Sequence, residues 1–321
     1  MLNSIIRNAL LVDKTDLSKN IKDIVEQIKK SIKDSEAIIK EANKIDEKNN
    51  NGFILDFNVI DKILSNIENI YYGDVTLSKR NDSIVYGKQI MDIGNVVVIS
   101  DGNPYITIEM AIRNIMAGNT TIFANDGFMY GTNQLLIQLI ESILIKHGIS
   151  RFLIQIYCND NYTDILKQFA NIDLVVCIGN HNLQNFVLSK SKNKTITSGY
   201  ENFDLYIEDN SHIDFINTII NTGLNIEVYS SIDYPNSIKV SGIEEAIAQI
   251  NYSGNKYSAA IFTSDTNNAS KFIREIKSKI VTVNTSPTIE RIIDIKQMDL
   301  VNEKTIIYPF NFKIENKNSN E

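Results

Sequence analysis

Basic residues are in deficit in this 321-residue chain: 32 Lys and Arg stand against 39 Asp and Glu, a net charge of −7. That balance excludes nucleic acid as an expected partner, because a phosphate backbone is held by a basic face. Cysteine is scarce. Cys158 and Cys177 are the only two, each in an apolar strand-like run. Neither a disulfide framework nor a metal site is expected from them, and a reducing cytoplasm fits their usage. His147, His181 and His212 are the only histidines, and for His147 and His212 no partner is readable. Long apolar runs are missing. Residues 5–12 are interrupted by Arg7 and Asn8, too short and too polar for a signal peptide or a membrane span. No Pro- or Ser-rich linker separates domains, which are therefore expected to pack closely. No Gly-x-Gly-x-x-Gly or Gly-x-x-x-x-Gly-Lys phosphate loop is present.

What is present is ordinary globular sequence, 43% hydrophobic and 22% charged, long enough for about two domains. Residues 16–48 read as a helix with Ile21, Ile24, Val25, Ile28 and Ile32 on one face, capped by Asp16 or Ser18, with a Glu26–Lys30 pair. A second helix is expected over 58–70. The period then changes. Strands at 95–100, 120–124, 152–157 and 172–178 alternate with helices at 106–116, 132–147, 162–169 and 182–189. Such alternation predicts an α/β fold with a parallel sheet and right-handed crossovers. Helices at 243–251 and 267–277 interleave with strands at 258–263 and 280–286 in a second α/β unit.

The ordered series of segments resembles the aldehyde dehydrogenase superfamily, and within it the γ-glutamyl phosphate reductases. Asn103-Pro104-Tyr105-Ile106-Thr107 matches the family's Arg-Pro-Asn-Val-Thr. Residues 116–123 match the helix-stop-strand passage into the cofactor ribose loop, and 172–180 match the strand that ends in Pro-Arg-Gly-Gly. Thr197-Ser198-Gly199 followed by Leu205-Tyr206-Ile207 matches the Gly-Gly turn and its strand. Residues 258–286 match the end of the catalytic domain. Met298-Asp299-Leu300 and 306–309 resemble the closing segment, which in the family adds a strand to a neighbouring subunit. The resemblance implies a Rossmann-type sheet domain over 1–210, a truncated catalytic-type α/β domain over 211–290, and a small oligomerisation element over 291–321. It also implies NAD(P) as cofactor, a homo-oligomer and a small-molecule ligand.

The departures bear on chemistry. Tyr105 stands where the family has its oxyanion asparagine, with Asn103 and Thr107 out of register. Gly127 replaces the ribose-loop lysine, and Ile178 the arginine. The family's nucleophilic cysteine is not found: Thr222-Gly223-Leu224-Asn225 leads into 226–232 and then almost at once to 237–240. A block of the catalytic domain is missing there.

Acyl reduction through a thiohemiacetal needs a thiolate at a cleft surface. Cys177, near a strand carboxyl end, is the one weak catalytic candidate, Cys158 ranking below it; both are more readily small core residues. The cofactor-binding candidates are Asn125, Asp126, Gly127, Gly179, Asn180, His181, Ser198 and Gly199. Asp126 is placed to accept a ribose hydroxyl, though Asn125-Asp126-Gly127 also suits a tight turn. His181 is placed to meet a phosphate or simply lies beside a helix cap. Glu227 is a faint match to the family's ribose-binding glutamate. The expected function is a degenerate relative without the cysteine-dependent reductase activity that binds a small ligand or nucleotide. The alternatives are an active NAD(P)-dependent oxidoreductase with a relocated nucleophile and an oligomeric scaffold.

Overall fold

The computed structural model describes residues 2–50, 54–79, 84–125, 127–159, 162–198, 203–220, 226–252, 258–278, 280–287 and 295–309. Asp126, Gly199, Tyr200, the junction 222–225 and the polar tail lie outside them.

The N-terminal third is helical: α1 (Leu2–Leu10), α2 (Leu17–Asp34), α3 (Glu36–Asn50) and α4 (Phe57–Asn66). The helix expected over 16–48 is two, broken at Ser35, whose N–H donates back to Ser31 and Lys33. The apolar stripe of α2 is buried as its spacing predicts. Asp16 does not cap α2; it pairs with Lys19 at 2.8 Å, and Glu26 pairs with Lys29 rather than Lys30. Asp56 caps α4 by accepting from the Asn58 N–H.

The first parallel sheet contains β3 (Asn95–Ser100), β4 (Thr120–Asn125), β5 (Ile154–Cys158), β6 (Leu174–Ile178) and β7 (Lys194–Ser198), in the order β5-β4-β3-β6-β7. Its helices are α5 (Pro104–Met116), α6 (Tyr130–Lys146), the single turn α7 (Thr163–Leu166) and α8 (His181–Lys190). Strands β4 and β6 are buried along their whole length, which explains their continuous apolar runs. Gly118 ends α5 with φ +74°, and a Cβ there would sit 2.6 Å from the Tyr72 ring, so glycine is required twice over.

The second parallel sheet has β8 (Phe203–Ile207), β9 (Ile226–Ser230), β10 (Ile238–Lys239), β11 (Ser258–Phe262) and β12 (Ile280–Val283), ordered β10-β9-β8-β11-β12. Helix α9 (Ile213–Ile220) packs on one face, α10 (Ile243–Tyr252) and α11 (Thr266–Glu275) on the other. Strand β8, placed in the first unit by a boundary at 210, bonds to β9 and β11. The change of sheet therefore falls between Ser198 and Phe203.

A third, antiparallel sheet joins β1 (Val75–Lys79), β2 (Ile84–Asp92) and β13 (Val301–Pro309) in the order β1-β2-β13. The first two strands are legible in no apolar run. The C-terminal strand, expected to pair across subunits, pairs along its whole length with β2 of its own chain.

Candidate ligand cleft

The first sheet reverses its winding between β3 and β6. From β3 the chain builds outward through β4 to β5, then crosses to β6 on the opposite side. The carboxyl ends of the strands flanking such a reversal form the crevice where open α/β sheets take ligands. Ser100–Asn103 after β3 and Gly179–Asn180 after β6 border it. Asn125 and Gly127 close β4, and Cys158 closes β5.

The main-chain groups at this edge are largely engaged by the protein itself. The Gly179 N–H donates to the Ser198 carbonyl at 3.1 Å, and Gln184 Nε2 donates to the Gly179 carbonyl at 2.8 Å. Asn180 is the N-cap of α8, its Oδ1 accepting from the Leu183 N–H at 3.0 Å. Tyr162 donates its hydroxyl to the Ser100 carbonyl at 3.1 Å in a buried bond. Gly102 has φ +88°, and a Cβ there would lie 2.4 Å from the Phe128 carbonyl oxygen, so the loops after β3 and β4 touch. Asn133 ties the two together. Its Nδ2 donates to the Gly102 and Met129 carbonyls, and its Oδ1 accepts from Thr107 Oγ1 at 2.6 Å.

The structure therefore brings the described candidates into two groups. Asn125 and Gly127 meet at the ends of β4 and β5: the Gly127 N–H donates to Asn125 Oδ1 at 3.3 Å, and the Asn159 N–H to the Asn125 carbonyl at 2.9 Å. Gly179, Asn180, His181 at the first position of α8, and Ser198 form the second group, across the reversal. Asp126 and Gly199 lie outside the described residues. Glu227 lies near the amino end of β9, opposite the edge where a ribose would sit, and accepts from the Tyr229 hydroxyl at 3.0 Å.

Tyr105, which the resemblance aligns with an oxyanion asparagine, is engaged in packing. The ring of Tyr105 is fully buried, and its hydroxyl accepts from the Asp56 N–H at 2.7 Å, tying α5 to the start of α4. Burial pushes its pKa well above the usual tyrosine range. Asn103 accepts from the Tyr105 N–H as the N-cap of α5, and Thr107 donates to Asn133, so both out-of-register alternatives are engaged locally.

The structure places Cys177, the weak catalytic candidate, inside the first sheet. It sits in the middle of the sheet between Ile99 and Thr197, fully buried, and burial pushes its thiol up to about 12. Such a group is a thiol at neutral pH. Cys158 is half-buried, its Sγ 2.9 Å from where a Cβ on Gly127 would be. Both cysteines belong to the first sheet.

In the second sheet, β9 and β10 run parallel as neighbours, joined only by residues 231–237. A parallel pair ordinarily needs a crossover of a dozen or more residues. Here the link itself covers the exposed face: Ile232 and Tyr234 pack with Ile213 and Ile220 over Val228, Ile216 and Phe262. Tyr234 donates its hydroxyl to Asn217 Oδ1 of α9 at 2.6 Å. The link thus closes over this face of the sheet.

Several polar residues escaped sequence reading. Asn133 and Asp46 lie on helices and are buried, Asp46 accepting from the Thr132 N–H at 2.7 Å at the start of α6. Their signal, a polar residue at a core position of an apolar face, is present but weak.

No family model matches the chain. It is 24% identical over 358 aligned positions to the γ-glutamyl phosphate reductase of Dictyoglomus thermophilum, covering 89% of this chain and 84% of that protein. An alignment longer than the 321-residue chain leaves segments of that relative without a counterpart here. The crystal structure of the Thermotoga maritima γ-glutamyl phosphate reductase is similar with a TM-score of 0.58 at 18% identity, over 97% of this chain and 98% of that one. The Methanocaldococcus jannaschii glyceraldehyde-3-phosphate dehydrogenase GapN, complexed with NADP, gives a TM-score of 0.69 at 13% identity, over 95% and 93%. Among the described residues no helix is long and apolar enough to cross a membrane, and no acidic, histidine or cysteine group is arranged to hold a metal.

Proposed function

Since the chain has the aldehyde dehydrogenase-like fold and is similar in sequence to γ-glutamyl phosphate reductases, we propose that it is a degenerate relative that does not perform cysteine-dependent reduction. The observation that carries this reading is where the two cysteines lie. Cys177 is a protonated core residue, and Cys158 ends an outer strand of the first sheet. Neither is in the second sheet, where the family resemblance places the nucleophile. The displaced oxyanion position at Tyr105 and the short 231–237 link support the same conclusion.

The retained function is binding of a small ligand in the crevice between β3 and β6, with NAD(P) the first compound to test. Gly179, Asn180 and the start of α8 would border its phosphates, and Asn125 and Gly127 its ribose side. Titration with NADPH, NADH and ATP by calorimetry is expected to show binding of at least one, with no NADPH oxidation in the presence of an acyl phosphate and no NAD(P) reduction with an aldehyde. The Cys158→Ser/Cys177→Ser double variant is expected to bind as the parent does. Turnover by the parent that the double variant loses would refute this reading and favour a relocated nucleophile.

Assembly with further copies is part of the proposal. Among the described residues no strand is hydrogen-bonded to the side of β13 facing away from β2, and most of β13 is exposed, which invites strand addition. Truncation from Asn302 onward is expected to lower the mass measured by light scattering to that of one chain. An unchanged assembly would place the interface elsewhere.

A further inference from the structure

Asp204 is the second residue of β8 and is completely buried, and among the described residues neither of its carboxyl oxygens has a hydrogen-bond partner. Beside it in register on β9 is a second acid, Glu227. Neighbouring residues of parallel strands in register point to the same face, so the two carboxyls share the face of Tyr206 and Tyr229, under α10 and α11. An isolated buried carboxylate next to another is among the costliest arrangements a core can hold, unless it carries a proton.

The position matters as much as the burial. Phe203, immediately before Asp204, belongs to the large core of the first sheet and the N-terminal helices, and Ile226, immediately before Glu227, packs against that core with Ile280 and Ile196. The acid pair therefore lies one residue inside the joint between the two sheets.

We propose that a proton bound to Asp204, beside the carboxylate of Glu227, latches this joint, and that its release to solvent opens it. No other charge in the described elements answers Asp204. Strands β11 and β12 carry none. On α10, Glu244 pairs with Lys271 of α11, and Glu245 accepts from Ser241 and Gln249. Arg274 pairs with Glu275 on α11, and Lys194 of β7 is exposed. The tyrosines on this face are engaged too: Tyr206 bonds Ser231 and Tyr229 donates to Glu227.

Burial, with the Glu227 charge adding to it, raises the Asp204 carboxyl to about 8 in the closed form. Once the joint opens, the group returns to the ordinary carboxylate range near 4. The closed form thus binds the proton more tightly, and its advantage is complete at low pH. Opening becomes easier by about tenfold per pH unit between about 5 and 8, then levels off once the closed form is itself ionised.

Hydrogen exchange of the full chain from pH 5 to 9.5, corrected for the intrinsic chemical rate, tests this on peptides covering β8, β9 and β11. The parent is expected to show the rising opening constant and the plateau. Asp204→Asn is expected to be flat across the same range, and Glu227→Gln to reach its plateau at lower pH. Equal slopes in the parent and Asp204→Asn overturn the proposal. Should that variant not fold, carboxyl-carbon NMR of the parent reads the proton directly. One carboxyl titrating near 8 supports the latch, and all of them titrating below about 6 would sink it.

Discussion

Glu109→Leu is expected to destabilise the protein by about 3–5 kcal/mol, because it strands a buried guanidinium. Glu109 and Arg113 lie one turn apart on α5, both buried. Arg113 Nε and Nη2 donate to the same Glu109 oxygen at 2.9 and 2.8 Å, and among the described residues Nη1 has no partner. The Arg113 carbonyl accepts from Gln297 Nε2 at 2.8 Å, which draws the short turn Gln297–Leu300 onto the same helix. The two charged groups face each other within one helix. Replacing both members, Glu109→Leu with Arg113→Met, removes the charges together and is expected to recover most of the loss, or to exceed the parent's stability. Urea unfolding of the single and double variants decides between these outcomes. A double variant as unstable as the single would show that α5 depends on the pair through contacts beyond its own charges.

Buried polar residues of this kind mark the limit of what the sequence made legible. The alternation of β3 to α8 was readable because strands buried on both faces must be continuous apolar runs, as in Asn95–Ser100 and Leu174–Ile178. The C-terminal unit was readable for the same reason. Strands β1 and β2 were not, because β1 is exposed over residues 75–77 and β2 is half-buried on both faces, so neither imposes an apolar period. The split at Ser35 was hidden because serine is tolerated within helices and neither Gly nor Pro marks the stop. At the cleft, Asn180 could be placed as a cap from its position ahead of an apolar helix. The burial of Cys177 follows from its apolar run, but its role is not legible there, since small core residues and nucleophiles differ in environment and not in identity. Asp204 could not be found at all: a lone acid in Phe-Asp-Leu-Tyr-Ile looks like the solvent side of an edge strand until the neighbouring strands are in place.

Asn133→Ala is expected to cost about 2–4 kcal/mol, a large effect for one uncharged side chain, because it breaks several buried bonds without supplying replacements. The Asn133 amide donates to the carbonyls of Gly102 and Met129, and its oxygen accepts from Thr107. Met129 has φ +50°, a conformation that methionine adopts only when its surroundings hold it there. Without the clamp, the loops after β3 and β4 lose the connection that fixes their separation, so protection from hydrogen exchange at Gly102 and Met129 should fall more than in β6. Asn133→Asp sharpens the test. It keeps an acceptor for Thr107 but turns a carboxylate toward two carbonyl oxygens, so it is expected to be at least as damaging as alanine. If the crevice binds a dinucleotide, both variants should weaken that affinity although Asn133 touches no ligand, since the amide holds the β3 loop that borders the crevice against the loop after β4. Unfolding of Asn133→Ala within about 0.5 kcal/mol of the parent would mean that the two loops are held by their backbones alone.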